Sequence, residues 1–232
     1  ETYAAWREAG AAVAVRVNPL AGDGMDDLAA VMKGAPDIVA LPKVHGPEFV
    51  VELDKAVTRF ERDYGLPEGR TRLLPNVESA KGLVNLLAIA GASPRVVACL
   101  IASEDQAADL GAERGMDSAE LEYARARFLV ECRAAEVVAV DCPFTFRDDD
   151  GAAAESLWAR RRGFTAKSAV PPAHARIIND ILTPSEEAVA QARRVMAHFD
   201  AGRAQGEARV EVDGALVELP NYLNAVRLVE RF

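Results

Sequence analysis

The sequence predicts an α/β protein built on a parallel β-sheet, and three observations carry that prediction. Short β-branched runs alternate with longer segments of helical period along most of the 232 residues. The runs are almost continuously apolar, the pattern of strands buried on both faces. Each is followed by a stretch long enough for a crossover helix, which parallel strands require.

The elements follow in order. The chain opens on a helical segment, Thr2–Glu8. Strand runs are read at residues 13–17, 38–41, 73–77, 96–101, 137–140 and 164–170. Between them, residues 47–64 place Phe49, Leu53, Val57, Phe60 and Tyr64 on one stripe, which Gly65 stops. Residues 117–136 repeat this with Leu121, Ala124, Phe128, Leu129 and Cys132. Thr183-Pro184-Ser185-Glu186 reads as a capping box with proline at the first helical position, opening a helix to Phe199. DAGRAQGEA at 200–208 then reads as a linker, and RVEVDGALVEL as a hairpin turning at Asp213-Gly214. A short helix follows Pro220. A hairpin and one helix are too small to own a core. The expected domains are therefore 1–199, the main α/β body, and 200–232, an appendage.

Six strand–helix units are legible, whereas a closed (β/α)8 TIM barrel has eight. The sheet is either open, or a barrel lacking its first two strands in this chain. The opening on a helical segment favours the second account.

Composition narrows the function. The formal net charge is −9 and the pI about 5.0, with no basic patch. Nucleic acid is thus not expected as a principal partner, and an acidic chain is a poor match for an anionic membrane surface. No apolar run approaches the roughly 18 residues of a membrane span. Cys99, Cys132 and Cys142 form an odd set without CxxC spacing. They read as buried, reduced thiols of a cytoplasmic protein, two of them on strands.

Parallel α/β proteins gather their chemistry where strands exit into helix N-termini. The polar residues at those exits are Arg16 and Asn18, Lys43, Glu78, Glu104 and Asp105, Asp141 and Lys167. Glu78 (LLPNVESAKG) and Glu104-Asp105 (ASEDQAADLG) sit at two successive junctions. Carboxylates there either complement helix dipoles or share one hard cation such as magnesium, with a nearby arginine free to grip a substrate carboxylate. Lys43 and Lys167 read as solvated loop lysines, with a Schiff-base role for Lys167 left open. Asp148, Asp149 and Asp150 read as a solvated loop and helix cap. His45, His174 and His198 are scattered without HExxH, and GxSxG, GxGxxG and GxxxxGK[ST] are missing.

At these residues the sequence resembles the citrate lyase beta-subunit-like family, which includes malyl-CoA and citramalyl-CoA lyases. The stretches that carry the likeness are VRVNP, IVALPKV, LLPNVESAKG, SEDQAADLG, GFTAKSAV and TPSEEAVAQARRVMAHF. The resemblance implies a magnesium-dependent (β/α) barrel that cleaves or forms a carbon–carbon bond beside a CoA thioester, releasing or accepting a small oxo acid. It implies Glu78 and Asp105 as metal ligands, with Arg16 and Glu78 at the substrate. The hairpin and helix resemble the family's lid, which reaches a neighbouring subunit in a homo-oligomer, a trimer. Glu218 stands where that lid carries an aspartate and becomes the candidate base. The chain departs from the pattern in three places. An acidic Asp-Leu-Glu-Asp stretch is not in it, Pro171-Pro172-Ala173-His174 replaces His-Pro-x-Gln, and Ala102-Ser103 replaces a glycine-bearing turn. A CoA-independent pyruvate-type aldolase and a barrel that binds CoA esters or an organic acid without turnover stand as alternatives.

Overall fold

The computed structural model describes residues 2–231, in two compact units that divide between Ile178 and Asn179. In the first unit, α1 (Thr2–Glu8) precedes six strands: β1 (Ala14–Arg16), β2 (Ile38–Leu41), β3 (Arg72–Val77), β4 (Ala98–Ile101), β5 (Val138–Asp141) and β6 (Ala166–Lys167). The helices between them are α2 (Gly24–Val31), α3 (Pro47–Asp63), the pair α4 (Ala80–Val84) and α5 (Leu86–Ala90), α6 (Glu104–Leu110), α7 (Glu122–Ala134) and α8 (Asp149–Arg162). The strands are all parallel and lie side by side in chain order. β1 and β6 each keep one unpaired edge among the described residues, so the sheet they bound is open.

The core forms where helix stripes meet the outer faces of the strands. On α3, Leu53, Val57 and Phe60 are buried as their spacing predicts, and Gly65 then takes the left-handed φ of 66° that ends the helix. Val39, Leu73, Ile89, Ile101 and Phe128 join them without exposed surface. At the N-terminal end of the strands, Arg95 forks onto Glu61 at 3.0 and 2.8 Å, while the Thr71 N–H donates to the same carboxylate at 2.8 Å. Glu61 is buried, and these donors hold its carboxyl below the ordinary range against the opposing effect of desolvation.

Four local readings change. β6 is two residues long instead of seven, and just past it Ser168 still donates both its N–H and its hydroxyl to the Asp141 carbonyl. The segment at 117 begins as a 3-10 turn, Ala119–Leu121, after Ser118 adopts a left-handed φ of 51°. All three cysteines are free and buried, but only Cys99 lies on a strand; Cys132 is on α7 and Cys142 follows β5. Lys167 is a fully buried ion-pair partner and not a solvated lysine, whereas Lys43 is exposed as expected.

A ninth helix, α9 (His174–Leu182), leads into the second unit, which contains α10 (Glu186–Ala204), the hairpin β7 (Val210–Val212) and β8 (Ala215–Val217), and α11 (Leu219–Val229). Asp213 and Gly214 both have positive φ, 51° and 76°, the primed turn that matches strand twist. Phe199, Val212 and Val217 form a small core, with Tyr222 stacked on Phe199 at 4.9 Å. The stretch read as a linker from 200 is helical to Ala204, and its Gly202 serves close approach. A Cβ there would stand 2.2 Å from Val210 Cγ1.

The helix cap also moves. Ser185, not Thr183, is the N-cap of α10, its hydroxyl accepting from the Ala188 N–H at 3.1 Å. The Thr183 N–H still donates to Asn179, so Thr183 belongs to the end of α9, and Pro184, lacking a donor, separates the two helices. Ser185→Ala should cost about 1 kcal/mol in denaturant titrations. Thr183→Ala should cost about a few tenths at most; the reverse ranking would place the cap at Thr183. Among the described residues no helix is long and apolar enough to cross a membrane.

Candidate active site

A cavity of about 480 Å³ opens at the C-terminal ends of the strands of the first unit. Its walls follow the period-two alternation of the sheet. Ala14 and Arg16 come from β1, Ala40 from β2, and Leu74, Asn76 and then Glu78 from β3 and its exit. Leu100 and Ala102 come from β4, Glu104 and Asp105 from the first turn of α6, and Pro143, Thr145 and Ser168 from the loops after β5 and β6. The inner faces of β1 to β4 therefore look onto one space, apolar below and charged at the mouth.

Glu78 is not a helix cap. Ser79 performs that task for α4, accepting from the Gly82 N–H at 3.1 Å. Glu78 is instead buried beside Asp105, and desolvation together with that neighbouring negative charge pushes its carboxyl above the ordinary range. The Lys43 N–H and the charges of Arg16 and Lys43 pull the other way without cancelling the rise. Lys43 has a left-handed φ of 56°, the backbone strain that often accompanies functional sites. The side chains of Arg16 and Asp105 are neither hydrogen-bonded nor ion-paired to other described residues. Glu104, at the same junction, is diverted: Thr145 donates to it at 2.5 Å and Arg114 at 3.1 Å.

Two crowded carboxylates, one buried and one open, form an oxygen donor set that suits a hard cation keeping several waters, which is how magnesium is usually held. Among the described residues no group of three or more His, Cys, Asp or Glu side chains is placed to hold a metal ion, and this pair is the candidate. A second recess, about 510 Å³ along α3, is lined by Lys55 and by charges matched to one another or to neighbours, Asp54 with Arg95, Arg59 with Asp63 and Arg62 with Glu68.

Arg16, Glu78 and Asp105 are thus gathered at one cavity. Glu218 lies in the second unit as the N-cap of α11, in a reciprocal box with Asn221, and Arg209 stands 3.4 Å away. The position of Asn76 is legible in hindsight, two residues before Glu78 on the same strand face. Thr145 and Ser168 lie on loops whose course no periodicity encodes. Asp141 and Lys167 stand at strand exits as read, yet they face each other in a buried network outside the cavity lining.

Residues 1–172 match the HpcH/HpaI aldolase/citrate lyase family. The chain belongs to that family. As a member it is a lyase, the class that the names of its relatives share. Citrate lyase subunit beta of Leuconostoc mesenteroides subsp. cremoris is 32% identical over 206 residues, covering 88% of this chain and 68% of that protein. L-malyl-CoA/beta-methylmalyl-CoA lyase of Cereibacter sphaeroides is 31% identical over 216 residues, covering 84% of this chain and 67% of that protein. Among solved structures, CitE from Mycobacterium tuberculosis, crystallised with magnesium, acetoacetate and coenzyme A, aligns with a TM-score of 0.70 at 26% identity. That alignment covers 94% of this chain and 77% of CitE. The parallel α/β architecture of this family member is therefore that of the citrate lyase beta structures.

Proposed function

We propose that the chain catalyses reversible cleavage of a carboxylate-bearing 3-hydroxyacyl-CoA, of the malyl, citramalyl or citryl type, to an acyl-CoA and an oxo acid. The observation that carries this is the meeting of Arg16, Glu78 and Asp105 at one cavity in a lyase-family chain. Glu78 and Asp105 would hold magnesium, which when bound supplies Lewis-acid polarisation of substrate oxygens. Arg16, unpaired at the mouth, would grip the oxo-acid carboxylate and stabilise the substrate oxygen that is negatively charged once the hydroxyl loses its proton and that becomes the oxo-acid carbonyl as the carbon–carbon electron pair leaves with the thioester enolate. Ala14, Ala40, Leu74 and Leu100 give the cavity an apolar floor that strengthens those interactions. In the condensing direction Glu218, carried on a lid formed by residues 200–232, removes a proton from the thioester methyl group. The unpaired edges of β1 and β6 support reading residues 1–199 as six strands of a (β/α)8 barrel. The same reading makes the protein a cytoplasmic homotrimer whose lids serve neighbouring subunits.

The deciding experiment is a panel of malyl-, citramalyl- and citryl-CoA esters assayed with magnesium and with EDTA. Turnover of one ester that EDTA abolishes is expected; full activity in EDTA rejects the metal role, and binding without turnover rejects catalysis. Arg16→Gln should raise KM for the oxo acid about 10- to 100-fold, the worth of a charge-assisted hydrogen bond. Glu218→Ala should slow exchange of acetyl-CoA methyl protons with solvent, and unchanged exchange acquits that residue.

A further inference from the structure

Lys167 ends β6 with no exposed side-chain surface. Its Nζ donates to Asp141 Oδ2 at 2.9 Å, to Glu155 Oε2 at 2.6 Å and to the Cys142 carbonyl at 2.6 Å. Three acceptors satisfy all three protons of an ammonium group. Burial alone favours the neutral amine, but Asp141, Cys142 and Glu155 outweigh it and keep the group charged. A protonated amine saturated in this way is no Schiff-base nucleophile. Arg125 braces the same acids, with Nε and Nη2 on Asp141 at 2.8 and 2.6 Å and Nη1 on Glu155 at 3.2 Å.

Two cations and two carboxylates balance, and a balanced buried network is poor evidence of stabilisation, since apolar replacements are often as good. The contact that Lys167 alone makes is with the Cys142 carbonyl, where the β5 loop begins. The Asp141 carbonyl accepts from the Ser168 N–H and hydroxyl at 3.0 and 3.1 Å, so side chain and main chain together fasten the ends of β5 and β6. Both loops then run directly into the cavity wall, as Pro143 and Thr145 from one and Ser168 from the other. Thr145 in turn holds Glu104, the residue before Asp105.

We propose that Lys167 is a positioning residue, whose grip on Asp141 and the Cys142 carbonyl sets the loop that carries Thr145, and through it Glu104 and Asp105. The assignment rests on reading this cavity as the lyase site. Lys167→Met alone leaves the network with surplus negative charge and is prone to misfold. The informative protein is the full chain with Lys167→Met and Glu155→Gln together, which restores balance while removing every Nζ contact.

Three measurements on the double variant and the parent decide the matter. Amide exchange over residues 142–147 should quicken at least tenfold while exchange in α3 is unchanged. Calorimetric magnesium affinity should weaken, and kcat should fall about 10- to 100-fold, the usual effect of removing a group that orients a ligand. If the double variant folds with the parent's loop exchange, magnesium affinity and kcat, Lys167 is merely structural and the proposal is overturned. A parent without turnover sinks the lyase reading instead. Loop exchange would still judge the hold on 142–147 in that case, because it needs no substrate.

Discussion

Glu78→Gln should reduce turnover by at least about 10²- to 10³-fold, the cost of losing a preorganised electrostatic group. The same change should raise the thermal midpoint of the metal-free chain. The two effects have one cause. Glu78 is buried against Asp105, and desolvation and like charge both oppose its ionisation. A carboxyl raised in the folded state contributes fully below its ordinary value of 4.5, and that contribution is lost as pH rises through the raised value. At neutral pH the native state therefore carries a penalty that a neutral amide of the same shape removes. A gain of a few degrees is readable, since 1 kcal/mol moves the midpoint by about 2–4 °C in a chain of this size. The gain should disappear near pH 4, where Glu78 is protonated anyway. Asp105→Asn should share the loss of activity and, by relieving the repulsion, part of the gain. A lower midpoint for Glu78→Gln at pH 7 would show that the carboxylate is held by donors and is not strained for a ligand.

Arg125→Met should destabilise the chain by about 3–5 kcal/mol, the cost of stripping one partner from a buried charge network. The guanidinium is 1% exposed, forks onto Asp141, reaches Glu155 and lies 3.9 Å from the Trp158 ring centroid. Asp141 has no exposed surface; burial drives its carboxyl up, but the charges of Lys167 and Arg125 prevail and hold it below the ordinary range. A depressed acid contributes stability above its unfolded pKa of about 3.9 and loses it as pH falls through the folded value. Glu61, held down by Arg95 and two backbone N–H groups, has the same sign. Acid unfolding of the parent should therefore begin below about pH 4 as these carboxylates take up protons. In Arg125→Met it should begin at higher pH. Equal acid midpoints in guanidinium-free titrations followed by circular dichroism would assign the acid lability elsewhere.

Much of this was legible because local chemistry and global fold agree. The strand at 38–41 announces itself by unbroken apolar residues, and α3 by one stripe ending at a left-handed glycine. Asp213-Gly214 could hardly be anything but a primed turn. Glu78, Asp105 and Arg16 stand out in the sequence as polar residues at strand exits, where a charge needs a partner or a ligand. The burial of Lys167 is not legible in the sequence. An exit lysine in loop water and one inside an ion network have the same neighbours in sequence, and only the folded sheet brings Asp141 and Glu155 to its Nζ. Gly202 misled in the opposite direction, because a glycine needed for helix–strand contact looks like one that ends a helix.

By itself, then, the amino-acid order determined a parallel α/β chain with acids and an arginine at neighbouring strand exits, because period, turn chemistry and composition act over a few residues. Tertiary structure decided which of those charges face a common space and which neutralise one another in the interior. Coulombic and desolvation energies depend on distance and burial. Residues 16, 78 and 105, or 125, 141 and 167, acquire those distances only when the strands align.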